Sequence, residues 1–146
     1  MLTDEYVTQK FREGIDCSML VLAEAAGIIG ITTEEAYRMG ACFGAGMLTG
    51  GVCGAVTGAF IALGIKYGNH RLNDMDQKLT VTLKRDELVR RFKEEHGSVD
   101  CPEILGYDLR DPIQRQNARD NRAIDNKCPM FCRTAARLLN ELLQEP

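Results

Sequence analysis

The sequence predicts an all-α fold, a compact bundle of about five to six helices forming a single domain over residues 1–146 around a glycine-rich central helix. Three observations carry this reading. Apolar residues recur at spacings of three and four along most of the chain, and helix-capping residues stand ahead of them. Only one stretch alternates like a strand, Leu79-Thr80-Val81-Thr82-Leu83. With no second such run to pair with, it is read as helix. A chain of 146 residues has room for one real core but not for two independent domains.

The elements follow in order. Residues 3–13 form a short helix, with Thr3 as its cap, Val7 and Phe11 on one face and Gly14 as its end. A second helix runs from Asp16 to about Ile29, with Cys17 in its first turn and Leu20, Ala23 and Gly27 on one side. Thr32-Thr33-Glu34-Glu35 supplies a cap and an acidic first turn for a third, which ends in the region of Gly44 to Gly51. The fourth spans Val52 to Tyr67. Gly54 and Gly58 share one of its faces, and small residues at that spacing let another backbone approach, which marks the helix as central. Asn73 to His96 fits a long exposed helix through Met75, Leu79, Leu88 and Phe92, closed by Gly97. Asp100-Cys101-Pro102-Glu103 opens a short helical turn. Residues 106–127 carry Arg110, Arg115, Arg119 and Arg122 among Asp, Asn and Gln, either as a solvated helix or loop or as an arginine stripe for an acidic partner. The last helix runs from Pro129 to about Leu143 through Phe131, Ala135, Leu138 and Leu142.

Composition excludes several functions. A formal charge of -3, no tryptophan and nine other aromatic residues (four Tyr, five Phe) give no basis for nucleic-acid binding. Met39 to Ile65 is free of charge for 27 residues, long enough to cross a bilayer. Eight of them are glycine, Thr49-Gly50-Gly51 splits the run, and no basic cluster flanks it, so a buried helix pair is expected and no membrane span. The N-terminus lacks a basic region followed by an apolar run, so no signal peptide is expected and the predicted location is cytoplasmic. In that reducing setting the six cysteines point to metal binding or redox chemistry rather than to structural disulfides.

Cys53-Gly54 stands at a helix opening, Cys101-Pro102 and Cys128-Pro129 place proline where a first turn tolerates it, and Cys17 lies in a first turn. Helix N-termini favour thiolate, but only by about 0.3–1 kcal/mol, less than one pKa unit. A metal deprotonates its thiol ligands outright, so four converging helix starts suit a metal centre better than an isolated nucleophile. The spacing, with 35, 47 and 26 residues between Cys17, Cys53, Cys101 and Cys128, allows such a centre without requiring it. Cys42 reads as core. Cys132, one turn after Cys128, reads either as core or as an extra or resolving thiol. His70 and His96 read as helix-end or surface residues rather than ligands. No catalytic constellation and no nucleotide-binding motif is discernible.

Four segments, FREGIDCSMLVL (11–22), CFGAGMLTGGVCGAVTGAFIALGIKYG (42–68), HGSVDCPEILG (96–106) and CPMFCRTAARLLNELL (128–143), together resemble the C-GCAxxG-C-C family of redox-active proteins. That family is marked by four cysteines and a CGAxxG motif, matched by Cys53-Gly54-Ala55-Val56-Thr57-Gly58. By position, the resemblance implies that Cys17, Cys53, Cys101 and Cys128 are the family's four cysteines. Cys42 and Cys132 fall outside the pattern. A similar domain occurs in split-Soret cytochromes with an iron-sulfur centre, and this chain lacks their haem-binding sequence. The resemblance therefore implies four thiolate ligands of an iron-sulfur cluster, 2Fe-2S in type, serving electron transfer or redox sensing with a redox partner protein. The sequence leaves self-association into a homo-oligomer open. The alternatives are a metal-free thiol-disulfide protein, with Cys132 as resolving partner of Cys128, and a zinc-stabilised structural or adaptor domain.

Overall fold

The computed structural model describes residues 1–146 and contains nine α-helices and no strand. These are α1 (Asp4–Arg12), α2 (Cys17–Glu24), α3 (Ala26–Ile29), α4 (Thr33–Gly40), α5 (Gly54–Tyr67), α6 (Met75–His96), α7 (Cys101–Leu105), α8 (Pro112–Asp120) and α9 (Ala123–Leu143). The all-α expectation holds, but the expected five to six helices fall short. The second helix breaks at Ala25 into α2 and α3, and the polar stretch after Gly106 forms a helix of its own, α8. Elements of four to nine residues are too short to show a period that can be counted.

The caps read from sequence are present. Tyr6 N–H donates to Thr3 Oγ1 at 3.2 Å, and Thr32 and Glu35 exchange hydrogen bonds of 2.8 and 3.1 Å in a reciprocal box. Asp111 accepts from Ile113 N–H at 2.8 Å and opens α8. The stretch from Leu79 to Leu83 is helical within α6. No helix is long and apolar enough to cross a membrane.

Helix α5 is central, packed on α2, α6 and α9. A methyl group at Gly58 would run into the Ser18 carbonyl oxygen and meet its Cα at 2.9 Å, so α2 and α5 touch backbone to backbone. Ser18 Oγ in turn donates to the carbonyl of Gly40 at 2.6 Å and ties α2 to α4. The main core runs from Leu2 to Leu143, while Leu105, Ala118 and Ala123 form a second, smaller cluster.

Two features differ from expectation near the cysteines. Helix α4 ends at Gly40, and the chain then makes a left-handed turn in which Ala45, Gly46, Met47 and Leu48 have φ of 53°, 63°, 58° and 53°. Three non-glycine residues in that region cost about 1–2 kcal/mol each. Gly46 anchors the turn, its carbonyl accepting from Gly51 N–H at 3.0 Å and from Thr49 N–H at 3.2 Å. The final helix starts at Ala123, six residues before Pro129, so Cys128 does not stand at a helix start. Pro129 lies inside the second turn, where its missing amide and its ring disturb the ladder.

Candidate functional site

The cysteines are brought together by backbone pairing and by close helix contact. Val52 and Asp100 form an isolated antiparallel bridge. Cys53 N–H donates to the Val99 carbonyl at 2.7 Å, and Cys101 N–H donates to that of Gly51 at 2.9 Å. This holds the starts of α5 and α7 side by side, with Cys53 capping α5 and Cys101 opening α7. Cys17 opens α2. Its sulfur occupies the space that a methyl group on Gly54 would need. Gly46 gives similar room to Cys101, whose Cβ would lie 2.9 Å from a methyl group there. Cys128 comes from the body of α9 and packs against both hydrophobic clusters.

Cys17, Cys53, Cys101 and Cys128 line one pocket of about 550 Å³, together with Cys42. All six cysteines are free thiols. Cys42, expected in the core, is exposed, because α4 stops before it and leaves it in a turn at the pocket. Cys132 is fully buried in the main core and does not reach the pocket wall. The charged residues on the wall are Asp16, Arg115 and Arg119. As the side chains stand, no group of three or more His, Cys, Asp or Glu is arranged to hold a single metal ion.

Burial pushes the Cys17 and Cys53 thiols up, against the opposing pull of the Ala45 amide on Cys17 and of the Ala55 and Val56 amides on Cys53. Cys101 is pushed up to about 11 by burial, by Cys17 and by Asp108. Cys128 is raised by burial and then by the charge of Cys17, Cys53 and Cys101. Burial is the largest cause at all four, with the charge of neighbouring sulfurs adding to it at Cys53, Cys101 and Cys128, so the thiols stay protonated at neutral pH unless a cation offsets their charge. Helix N-termini do not overcome this, as expected from their modest magnitude.

A family model described as "Putative redox-active protein (C_GCAxxG_C_C)" matches residues 15–142. The chain belongs to this family. The match to the C_GCAxxG_C_C family spans all six cysteines and ends within the last turn of α9. No curated protein and no solved structure matches the chain. The stretch Cys53-Gly54-Ala55-Val56-Thr57-Gly58 acquires a physical reading here. Cys53 caps α5, Gly54 admits the sulfur of Cys17, buried Ala55 fits the core, and Gly58 admits the backbone of α2.

The histidines lie elsewhere. His70 is exposed, and His96 is half-buried against Phe92 and Phe131, its Nε2 2.9 Å from Thr134 Oγ1. His96 borders a larger recess of about 870 Å³ that no cysteine lines. Sequence reading did not connect Arg115 and Arg119 to the thiols. Their spacing of four places them on one face of α8, but nothing local indicates what that face meets.

Proposed function

We propose that Cys17, Cys53, Cys101 and Cys128 are the thiolate ligands of an iron-sulfur cluster, 2Fe-2S in type, and that the protein transfers or senses electrons in a reducing, cytoplasmic setting. The observation that supports this is the meeting of four thiols from α2, α7, α9 and the cap of α5 on one pocket wall. The donor set fits the group. It is all sulfur, with no histidine among the lining residues, which suits iron-sulfur clusters and zinc over harder metals. A two-iron cluster held by four cysteines asks only two thiolates of each iron, so it requires less convergence on a single point than tetrahedral zinc does.

When bound, such a cluster supplies one-electron chemistry. The chain's own contribution is binding, orientation and exclusion of water. The Val52–Asp100 bridge fixes Cys53 and Cys101 relative to one another, and Gly54 lets Cys17 close against the start of α5. The amides at the starts of α2 and α5 point positive ends toward the sulfurs. The apolar wall, including Phe11, Leu105, Ile124 and Phe131, limits solvent.

The thiol-disulfide reading draws on one specific feature, exposed Cys42 on the same pocket as Cys17 and Cys53. There, two thiols would form an S–S bond and pass two electrons and two protons to an oxidising partner protein. Oxygen-free purification followed by a visible spectrum and assays of iron, sulfide and zinc separates the readings. The cluster reading predicts colour with iron and sulfide in equal amounts. A colourless, metal-free protein overturns it, as does stoichiometric zinc without sulfide.

A further inference from the structure

We propose that Arg115 and Arg119 make one wall of the thiol pocket a binding site for a small anion that presents two oxygens, a carboxylate or a tetrahedral oxyanion. The arginines of residues 106–127 divide into two kinds. Arg110 is paired with Asp108 at 2.7 Å, and Arg122 with Asp125 at 3.9 Å. Arg115 and Arg119 form no ion pair, although they share a face of α8 and both line the pocket. The wall carries these two guanidinium groups against a single carboxylate, Asp16.

Arg115 Nε is moreover the one buried side-chain nitrogen or oxygen in the protein without a hydrogen-bond partner. A buried N–H of a charged group left unpaired is unfavourable, and native proteins rarely keep one without a protein group, an ordered water or an ion to meet it. The guanidinium fork presents paired N–H groups that match two oxygens of a carboxylate, phosphate or sulfate. At about 550 Å³ the pocket has the volume of a small-molecule site. Arg115 is half-buried with its Nε out of solvent, which favours a small ligand over an acidic protein surface, whose easiest contact is the exposed Arg119. The site stands whether or not the thiols hold metal.

Arginine Nε–Hε resonances of the full, reduced, nitrogen-15-labelled chain report on it directly, both as purified and after chelator treatment. Sodium sulfate, sodium phosphate and sodium acetate are titrated at constant ionic strength against chloride, with the Arg115 signal assigned by its loss in Arg115→Lys. The expected result is a saturable shift at Arg115 with at least one of these anions, weakened about tenfold or more in Arg119→Gln at unchanged helicity. Shifts that are linear, alike for chloride, and equal at surface Arg90 overturn the proposal. So does saturable binding that persists undiminished in Arg115→Gln, or a polyglutamate peptide that saturates Arg119 while all three small anions leave Arg115 unmoved.

Discussion

At Gly54 a single hydrogen atom separates the backbone of α5 from the sulfur of Cys17. Gly54→Ala places a methyl group on that sulfur, and the expected cost is about 1–3 kcal/mol from overpacking together with displacement of Cys17. Gly27→Ala is the matched control. Gly27 is exposed in α3 with nothing within 4 Å of a new methyl group, and its substitution is expected to gain about 0.5–1 kcal/mol. Urea unfolding of both variants checks the contrast, and equal effects would mean that the approach of Cys17 to α5 is not tight. His96 makes a different residue-level prediction. Its burial against Phe92 and Phe131 lowers its pKa, more than the nearby Glu95 raises it. The unfolded chain therefore takes up the proton first as the pH falls. Stability from this group is full above the unfolded value of about 6.5 and is lost below it, until the folded pKa is passed. The thermal midpoint of His96→Gln should fall less between about pH 7.5 and about pH 5 than that of the parent. Parallel curves for parent and His96→Gln would contradict this.

Among the elements, α9 joins stability to the site most plainly. Pro129 cannot donate to the carbonyl of Asp125 and disturbs the turn that carries Cys128. A proline in a helix interior costs about 3 kcal/mol relative to alanine in isolated helices. Pro129→Ala is therefore expected to raise the thermal midpoint while lowering the amount of metal the purified protein carries, because an undisturbed turn aims Cys128 differently. A gain in stability with metal content unchanged would show that the proline does not position the thiol. The same residue shows where sequence reading stops. Cys128-Pro129 has the form of a helix start, and only the tertiary setting of Ala123, buried with Leu105 and Ala118, carries the helix back past it. By contrast Thr3, the Thr32–Glu35 box and the Gly54–Gly58 pair were legible, since each is a pattern spelled out within about one helical turn of sequence, even though the two glycines act on α2. The bridge between Val52 and Asp100 was not legible, because one residue pair leaves no alternating pattern. The four cysteines of the candidate site were legible as a set through family resemblance. The exposure of Cys42 and the unpaired arginines of α8 were not, because both depend on how distant segments meet.

On the scale of the whole molecule, the thiol pocket lies at the seam between the main core and the small cluster of Leu105, Ala118 and Ala123. Cys17 and Cys53 belong to the first side, Cys101 to the second, and Cys128 packs on both. A centre bound by all four would fasten the two clusters together, and binding to the folded state alone raises its stability by mass action. Hydrogen exchange should then slow on metal loading chiefly in α7 and α8, which rest on the small cluster, and less in α5, already buried in the main one. Uniform slowing, or none in α8, would contradict a clamp at the seam. The most direct measurement is the iron and sulfide content of single cysteine-to-serine variants purified without oxygen. Cys17→Ser, Cys53→Ser, Cys101→Ser and Cys128→Ser should each lose most of the iron and sulfide found in the parent, while Cys42→Ser and Cys132→Ser should retain both. Retention in any of the first four, or a parent that carries neither iron nor sulfide, would contradict four-cysteine ligation of a cluster.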